Sequence, residues 1–270
     1  IELRDKNQAQ EGVSHLFVHT GQHFDYELDE VFYKQLCIRR PDMNFDIGKI
    51  LKESGGPTTY EYQISLIFQK LSEFILKEKP DAIMYLGDSN TIISAIIAAR
   101  HKIPVIHVEA GGRNFDWRTP EEKNRITADH LSDINYCYLE RYKEILLSEG
   151  VSDFRIKVIG NIIHDALDSF LPLSENNPVR DDLGLQNKGY ILCTMHREEN
   201  TESKEILAPK IKDLIKLSKE IPIVFPIMPR VRGLLEKSGL FKMMEKSGIK
   251  ITKPLGFLEI LNLERHAKAI

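Results

Sequence analysis

Cysteine is scarce: the 270 residues hold three, Cys37, Cys137 and Cys193. Their odd number and wide separation exclude a disulfide framework, and no pair has metal-ligand spacing. Cys137 and Cys193 lie in apolar, strand-like runs, where a buried and inert thiol is expected. Charge of one sign is also lacking. The net charge is -3 at pH 7, with Lys and Arg spread among Asp and Glu. That leaves no footprint for nucleic acid or for a membrane surface as partner. No apolar run is long enough to span a bilayer, and none has the layout of a signal peptide. A reducing cytoplasm is the expected compartment. No G-x-G-x-x-G turn follows the first strands, so a nicotinamide cofactor is not implied. His19 and His23 stand four apart but straddle a strand-to-turn change, so no metal site is expected.

What is present is an ordinary globular composition, 42% hydrophobic and 29% charged. The length points to one large or two medium domains. Short apolar runs alternate with segments of helical spacing. Strands are expected at 15–19, 82–86, 105–108, 134–138 and 156–159. Helices are expected at 26–36, 58–77, from a cap at Asn90, and at 141–147 with Gly150 closing the last. This order predicts an α/β fold with a mostly parallel sheet and helices on both faces. The stretch 174–188 is polar and rich in turn residues, and reads as a linker. A second α/β series follows, with strands at 190–194, 221–227 and 249–251 and helices at 204–217 and 258–265. The expected division is a first Rossmann-like domain over 1–172, a linker over 173–188 and a second, nucleotide-binding domain over 189–270. Ile1 is not a natural start, and 266–270 reads as the entry to another buried strand. The chain is therefore expected to be part of a longer protein.

The chemistry-bearing residues gather at strand tips, where open α/β sheets bind ligands. Asp88 ends the strand 82–86 within Gly87-Asp88-Ser89-Asn90-Thr91. It could equally be a turn aspartate bonded to its own loop. Glu109 ends the buried strand 105–108, where a carboxylate is costly unless paired or used. His107, inside the same strand, reads as a satisfied core histidine. Glu121 and Glu122 follow Pro120 in a first helical turn, where the helix dipole alone favours one of them. Arg125 lies four residues from Glu121 and is placed to pair with it. Carboxylates grouped this way can move protons to and from carbon or oxygen. Gln22 follows the first strand as a hydrogen-bonding or simple turn residue. Asn161, after Gly160, suits either a phosphate-adjacent turn or a helix cap. His196 and Arg197 open the second series at another strand tip, a pairing that suits a pyrophosphate or a sugar hydroxyl. A plain polar loop is the competing reading there.

Taken together, Thr-Gly-Gln-His (20–23), Gly-Asp-Ser-Asn-Thr (87–91), His-Val-Glu-Ala-Gly (107–111), Pro-Glu-Glu-Lys-Asn-Arg (120–125), Asp-His-Leu-Ser-Asp (129–133), Val-Ile-Gly-Asn (158–161) and His-Arg-Glu-Glu-Asn (196–200) give the chain its likeness. It resembles the non-hydrolysing UDP-N-acetylglucosamine 2-epimerases over almost its whole length. The resemblance implies two Rossmann-like domains of the glycosyltransferase-B type facing a cleft that takes a UDP-sugar, with no cofactor, in a homodimer. It implies catalytic roles for Asp88, Glu109, Glu121 and His196. Gln22, Arg113, Arg125, Asn161, Arg197 and Glu199 are the expected substrate contacts. The activity implied is interconversion of UDP-GlcNAc and UDP-ManNAc by elimination and re-addition of UDP, in the synthesis of cell-surface polysaccharide such as capsule or lipopolysaccharide. The segment Phe115-Asp116-Trp117-Arg118-Thr119-Pro120-Glu121-Glu122 is more like the branch acting on UDP-2-acetamido-2,6-dideoxy-hexoses. A glycosyltransferase of the same fold, or a non-catalytic UDP-sugar-binding relic, are the alternatives. Met228 stands where the family usually has a histidine of a second, activating substrate site, so substrate activation is not expected.

Overall fold

A computed structural model describes residues 14–21, 30–55, 59–195 and 203–270. They fall into two compact units, one of 14–21 and 40–166, the other of 30–39 and 167–270. The first opens with β1 (Val18–His19). The chain then lends α1 (Glu30–Leu36) to the second unit before returning as β2 (Met43–Asn44), which pairs parallel with β1. A short helix, α2 (Ile47–Glu53), follows and buries Ile47 and Leu51.

The long helix α3 (Tyr60–Glu78) starts where Thr59 caps it, its hydroxyl accepting from the Tyr62 amide. Ile67, Leu71, Phe74 and Ile75 recur at helical spacing and are the buried stripe. Lys79, in the left-handed region at φ 50°, ends it ahead of Pro80. There follow β3 (Ile83–Leu86), a 3-10 turn over Asn90–Ser94, α4 (Ala95–Arg100), β4 (Val105–Ala110), α5 (Pro120–Leu131), β5 (Ile134–Cys137), α6 (Glu140–Ser148) and β6 (Ile156–Val158). Asn90 was expected to cap a helix. Ser89 holds the cap position instead, and the Asn90 amide donates to Gln63 at 2.9 Å. Gly150, at φ +90°, does close α6 as expected.

These strands form one parallel sheet in the order β3-β4-β5-β6. One core packs α2, α3 and α4 against it, and a second, around Cys137, Leu146 and Ile156, packs α6. Because the strands run in one direction, their carboxyl ends share an edge. Asp88, Glu109, Tyr138 and Asn161 therefore reach that edge from consecutive strands.

The chain enters the second unit within α7 (Ile163–Ser174). It continues through α8 (Val179–Asp182), β7 (Ile191–Leu192), α9 (Lys204–Leu217), β8 (Ile223–Pro226), α10 (Pro229–Ser238), α11 (Leu240–Glu245), β9 (Ile249–Thr252) and α12 (Phe257–His266). The sheet is parallel, in the order β7-β8-β9. The end of the chain extends it as expected for a strand entry, Ala269 bridging to Ile191 and the Lys268 amide donating to the Tyr190 carbonyl at 2.8 Å. Met228 packs against the core of α9, α10, α11 and β8, an apolar filling role.

The stretch read as a linker is folded. Asn177 accepts from the Val179 amide at 3.0 Å and starts α8. Val179 and Leu185 are buried in a cluster with Tyr190, Leu192 and Leu263. Its apolar residues are few, but they recur at spacings that face one core, and the polar residues between them cover the outside. Leu185→Ala is therefore expected to destabilise the second unit by about 2–5 kcal/mol. Chemical denaturation checks this, and a change near zero would restore the linker reading.

Candidate active site

Two strand tips and one helix build the site. After β3 the chain turns at Gly87, φ +77°, and presents Asp88. After Val108 the pairing of β4 with β5 slips, and Glu109 sits at this irregularity with φ 76°. A non-glycine side chain at such a φ is strained by on the order of 1–3 kcal/mol. The loop 111–119 then leads into α5, where Pro120 takes an early position that needs no amide donor.

Glu122 organises this loop from α5. It is buried, 2% exposed. Its oxygens accept from the amides of Asn114 and Phe115, both at 3.0 Å, and from Arg125 Nη1 at 2.9 Å. Arg125 reaches on with Nη2 to the Asp88 carboxylate, and Nη1 also donates to the Gly112 carbonyl at 3.2 Å. Asn124 donates to the Asp88 carbonyl at 3.0 Å. Arg125 was expected to pair with Glu121. It pairs with Glu122 and Asp88 instead, because three residues back along the helix lies the inward carboxylate, while Glu121 is exposed.

Glu109 is half-buried and hydrogen-bonded to Tyr138. Burial first, and then the negative charge of Asp88, push its pKa above the ordinary 4.5. Arg125, His107 and the Tyr138 hydroxyl pull it back only partly. The Tyr138 hydroxyl is itself pushed up to about 12, by burial and by the Glu109 carboxylate.

The structure thus brings Asp88, Glu109 and Arg125 into one cluster. Glu121 stands on the first turn of α5, exposed, next to the buried Glu122. Arg113 was expected to touch substrate, but its guanidinium is 1% exposed. It pairs with Asp129 at 2.7 Å and with Glu149 at 2.6 and 3.0 Å. The buried Asp129, the partly exposed Glu149 and the Gly112 carbonyl thus engage Nε and both terminal nitrogens. Asn161 accepts from the Ile163 amide at 3.0 Å, the cap role weighed for it above. His196, Arg197, Glu199 and Gln22 lie outside the described residues. His107 is the satisfied core histidine expected, between Asp129 and the Gly87 carbonyl. Burial pushes the Cys137 thiol up to about 12, with Asp129 adding to it, and raises Cys193 too, so both are inert as expected.

Tyr138 is a contributor that the sequence did not single out, and Glu122, named there only beside Glu121, takes a structural role that the sequence did not assign. Tyr138 had a signal, since it directly follows β5 and so takes the same strand-tip position as Asp88 and Glu109. For Glu122 the signal was its place three residues before Arg125. No group of three or more His, Cys, Asp or Glu among the described residues could hold a metal ion.

Residues 5–270 match the family profile of UDP-N-acetylglucosamine 2-epimerase. The chain belongs to this family. It is 39% identical over 259 residues to a UDP-N-acetylglucosamine 2-epimerase homolog of Methanococcus maripaludis, covering 94% of this chain and 70% of that one. It is 35% identical over 257 residues to the UDP-2,3-diacetamido-2,3-dideoxy-D-glucuronate 2-epimerase of Pseudomonas aeruginosa, covering 93% and 68%. The crystal structure of Methanocaldococcus jannaschii UDP-GlcNAc 2-epimerase in complex with UDP-GlcNAc and UDP superposes with a TM-score of 0.84 at 34% identity, over 96% of this chain and 70% of that one. The epimerase's fold bears out two Rossmann-like domains of the glycosyltransferase-B type.

The raised proton affinity of Glu109 has a consequence for stability. The folded protein holds this proton at a pH where the unfolded chain has lost it. Its contribution is full below the ordinary carboxylate value and is lost as pH rises through the raised one. Glu109→Gln keeps the acceptor for Tyr138 and removes the charge. Its stability relative to wild type is expected to grow as pH is raised from about 4.5 toward neutral, in denaturation curves of both proteins over that range. A difference independent of pH would show that Glu109 is not perturbed.

Proposed function

We propose that the protein is a UDP-N-acetylglucosamine 2-epimerase, inverting C2 of a UDP-2-acetamido sugar by elimination and re-addition of UDP. The observation that carries this is the pair of strand-tip carboxylates, Asp88 ion-paired to Arg125 and Glu109 with raised proton affinity. A proton on C2 of a sugar is a weak acid. A carboxylate with a raised pKa is the stronger base, and its proton transfer works best near the operating pH. In this reading Glu109 takes the C2 proton while the C1–O bond to UDP breaks. The electron pair of the C–H bond becomes the C1–C2 double bond, and the bonding pair of C1–O leaves with UDP. Protonation of C2 from the opposite face and attack of UDP on C1 restore the sugar with inverted configuration. Electrons balance with no oxidant, so the sequence of steps calls for no redox cofactor.

The remaining parts follow from the same reading. Asp88 and Glu121 serve as the other proton-handling groups, and Arg125 holds the charge of Asp88 in place. His196, Arg197, Glu199 and Gln22 are assigned to substrate, with nucleotide binding given to the second domain. The working form is a cytoplasmic homodimer that supplies a sugar donor for cell-surface polysaccharide. A UDP-2-acetamido-2,6-dideoxy-hexose substrate is the second reading, favoured by the Phe115-Asp116 segment.

Proton NMR of the protein with UDP-N-acetylglucosamine in deuterium oxide tests the proposal. A new manno-configured anomeric signal with deuterium at C2 is expected. Free sugar would mean hydrolysis. Turnover only with a 6-deoxy substrate would establish the second reading, and none with either sugar would favour a relic. Glu109→Gln is expected to lower turnover by about two orders of magnitude or more. Near wild-type rates would remove Glu109 from the chemistry.

A further inference from the structure

Beneath the carboxylates lies a set of buried charges that the proposed chemistry does not use. His107 and Asp129 are both fully buried. His107 Nδ1 stands 2.7 Å from Asp129 Oδ1, and its Nε2 stands 2.9 Å from the Gly87 carbonyl oxygen. The second Asp129 oxygen accepts from the Gly111 amide at 3.2 Å and from Arg113 Nη1 at 2.7 Å. Arg113 pairs further with Glu149, which His130 approaches at 3.7 Å.

Counting donors settles the proton inventory. A carbonyl oxygen only accepts, so Nε2 must carry hydrogen. Asp129 faces the guanidinium of Arg113, which never gives up its charge, and is therefore the carboxylate. It too only accepts, so Nδ1 also carries hydrogen. His107 is then an imidazolium, and His107, Arg113, Asp129 and Glu149 make two positive and two negative charges.

The geometry gives this cluster a task. Gly87 immediately precedes Asp88, and Gly111 lies two residues after Glu109. His107 grips the first strand tip through its carbonyl. Asp129 grips the second through its amide, and the ion pair joins the two. We propose that the buried His107–Asp129 pair is the positioning element that sets Asp88 and Glu109 at a fixed separation for proton transfer, with His107 doubly protonated. His107 touches no substrate in this proposal. Its kinetic readout rests on the epimerase reading, whereas its spectroscopic readout does not.

The closing experiment has two arms. In the first, nitrogen-edited NMR of the wild-type protein, with His107 assigned through contacts to the Gly87 α-protons, should show two ring N–H signals protected from solvent exchange. One ring N–H would mean a neutral imidazole and would overturn the proposal, whatever the enzyme's substrate. In the second, His107→Gln can satisfy Gly87 or Asp129 but not span both. Its kcat should fall about 10- to 100-fold, as for an ångström-scale misplacement of reacting groups, with KM nearly unchanged. Unchanged kcat in the folded variant would overturn the positioning role. Should that variant fail to fold, Asp129→Asn serves instead: its amide oxygen can accept from Gly111 and Arg113 only with its amide nitrogen turned to His107 Nδ1, which strips that ring proton and the ion pair, and the same selective fall in kcat is expected. A wild type that turns over no UDP-sugar would refute the epimerase reading, and the NMR arm would still decide the proton count.

Discussion

One buried carboxylate, Asp129, carries more of this structure than any exposed group at the site. It accepts from a histidine on β4, from the backbone of the loop that follows, and from an arginine two residues farther on. Burying a single charge in this way is costly, and removing one partner of such a pair typically costs about 3–5 kcal/mol because the other is left uncompensated. The helix α5 is thereby bound to the sheet at a defined height. Everything α5 delivers, from Glu122 to Arg125, inherits that height. A second charged relay runs from the N-terminal turn of the same helix, from the loop amides through the buried Glu122 and through Arg125 to Asp88. The edge that carries Asp88 and Glu109 is held by both sets of charges.

Much of the fold was legible because its strands are short, apolar and separated by regular amphipathic helices. Helix 204–217 falls where its spacing predicts, and the parallel order follows from the alternation alone. What was not legible has a common cause. The helices α2 and α11 have 7 and 6 residues, too short for a periodic pattern to stand out. The 174–188 segment is mostly polar, and composition cannot show that its few apolar residues converge on one core. The assignment of α1 to the second unit depends on long-range packing, which no local pattern encodes.

The site was legible as a set of strand ends and less so as a set of contacts. Asp88 and Glu109 share an environment because neighbouring parallel strands end at one edge, and that follows from the order of elements. Glu121 and Glu122 could not be told apart by dipole arguments, since both occupy the first turn. Glu122 is the one that turns inward, on the helical face it shares with the buried Asp129. Arg113 looks like a ligand contact in sequence and is instead paired to the buried Asp129 and the partly exposed Glu149. Tyr138 was expected as the last residue of the strand 134–138; that strand ends at Cys137, which leaves Tyr138 at the tip beside Glu109.

Glu109 sits in a backbone geometry that glycine adopts freely and other residues resist. Glycine would relax the bulge and would also delete the carboxyl group. On the proposed chemistry, folding and function therefore pull in opposite directions at this position. A library sorted only by how well its members fold would drift toward glycine here, and so shed the carboxyl group that the proposed chemistry uses.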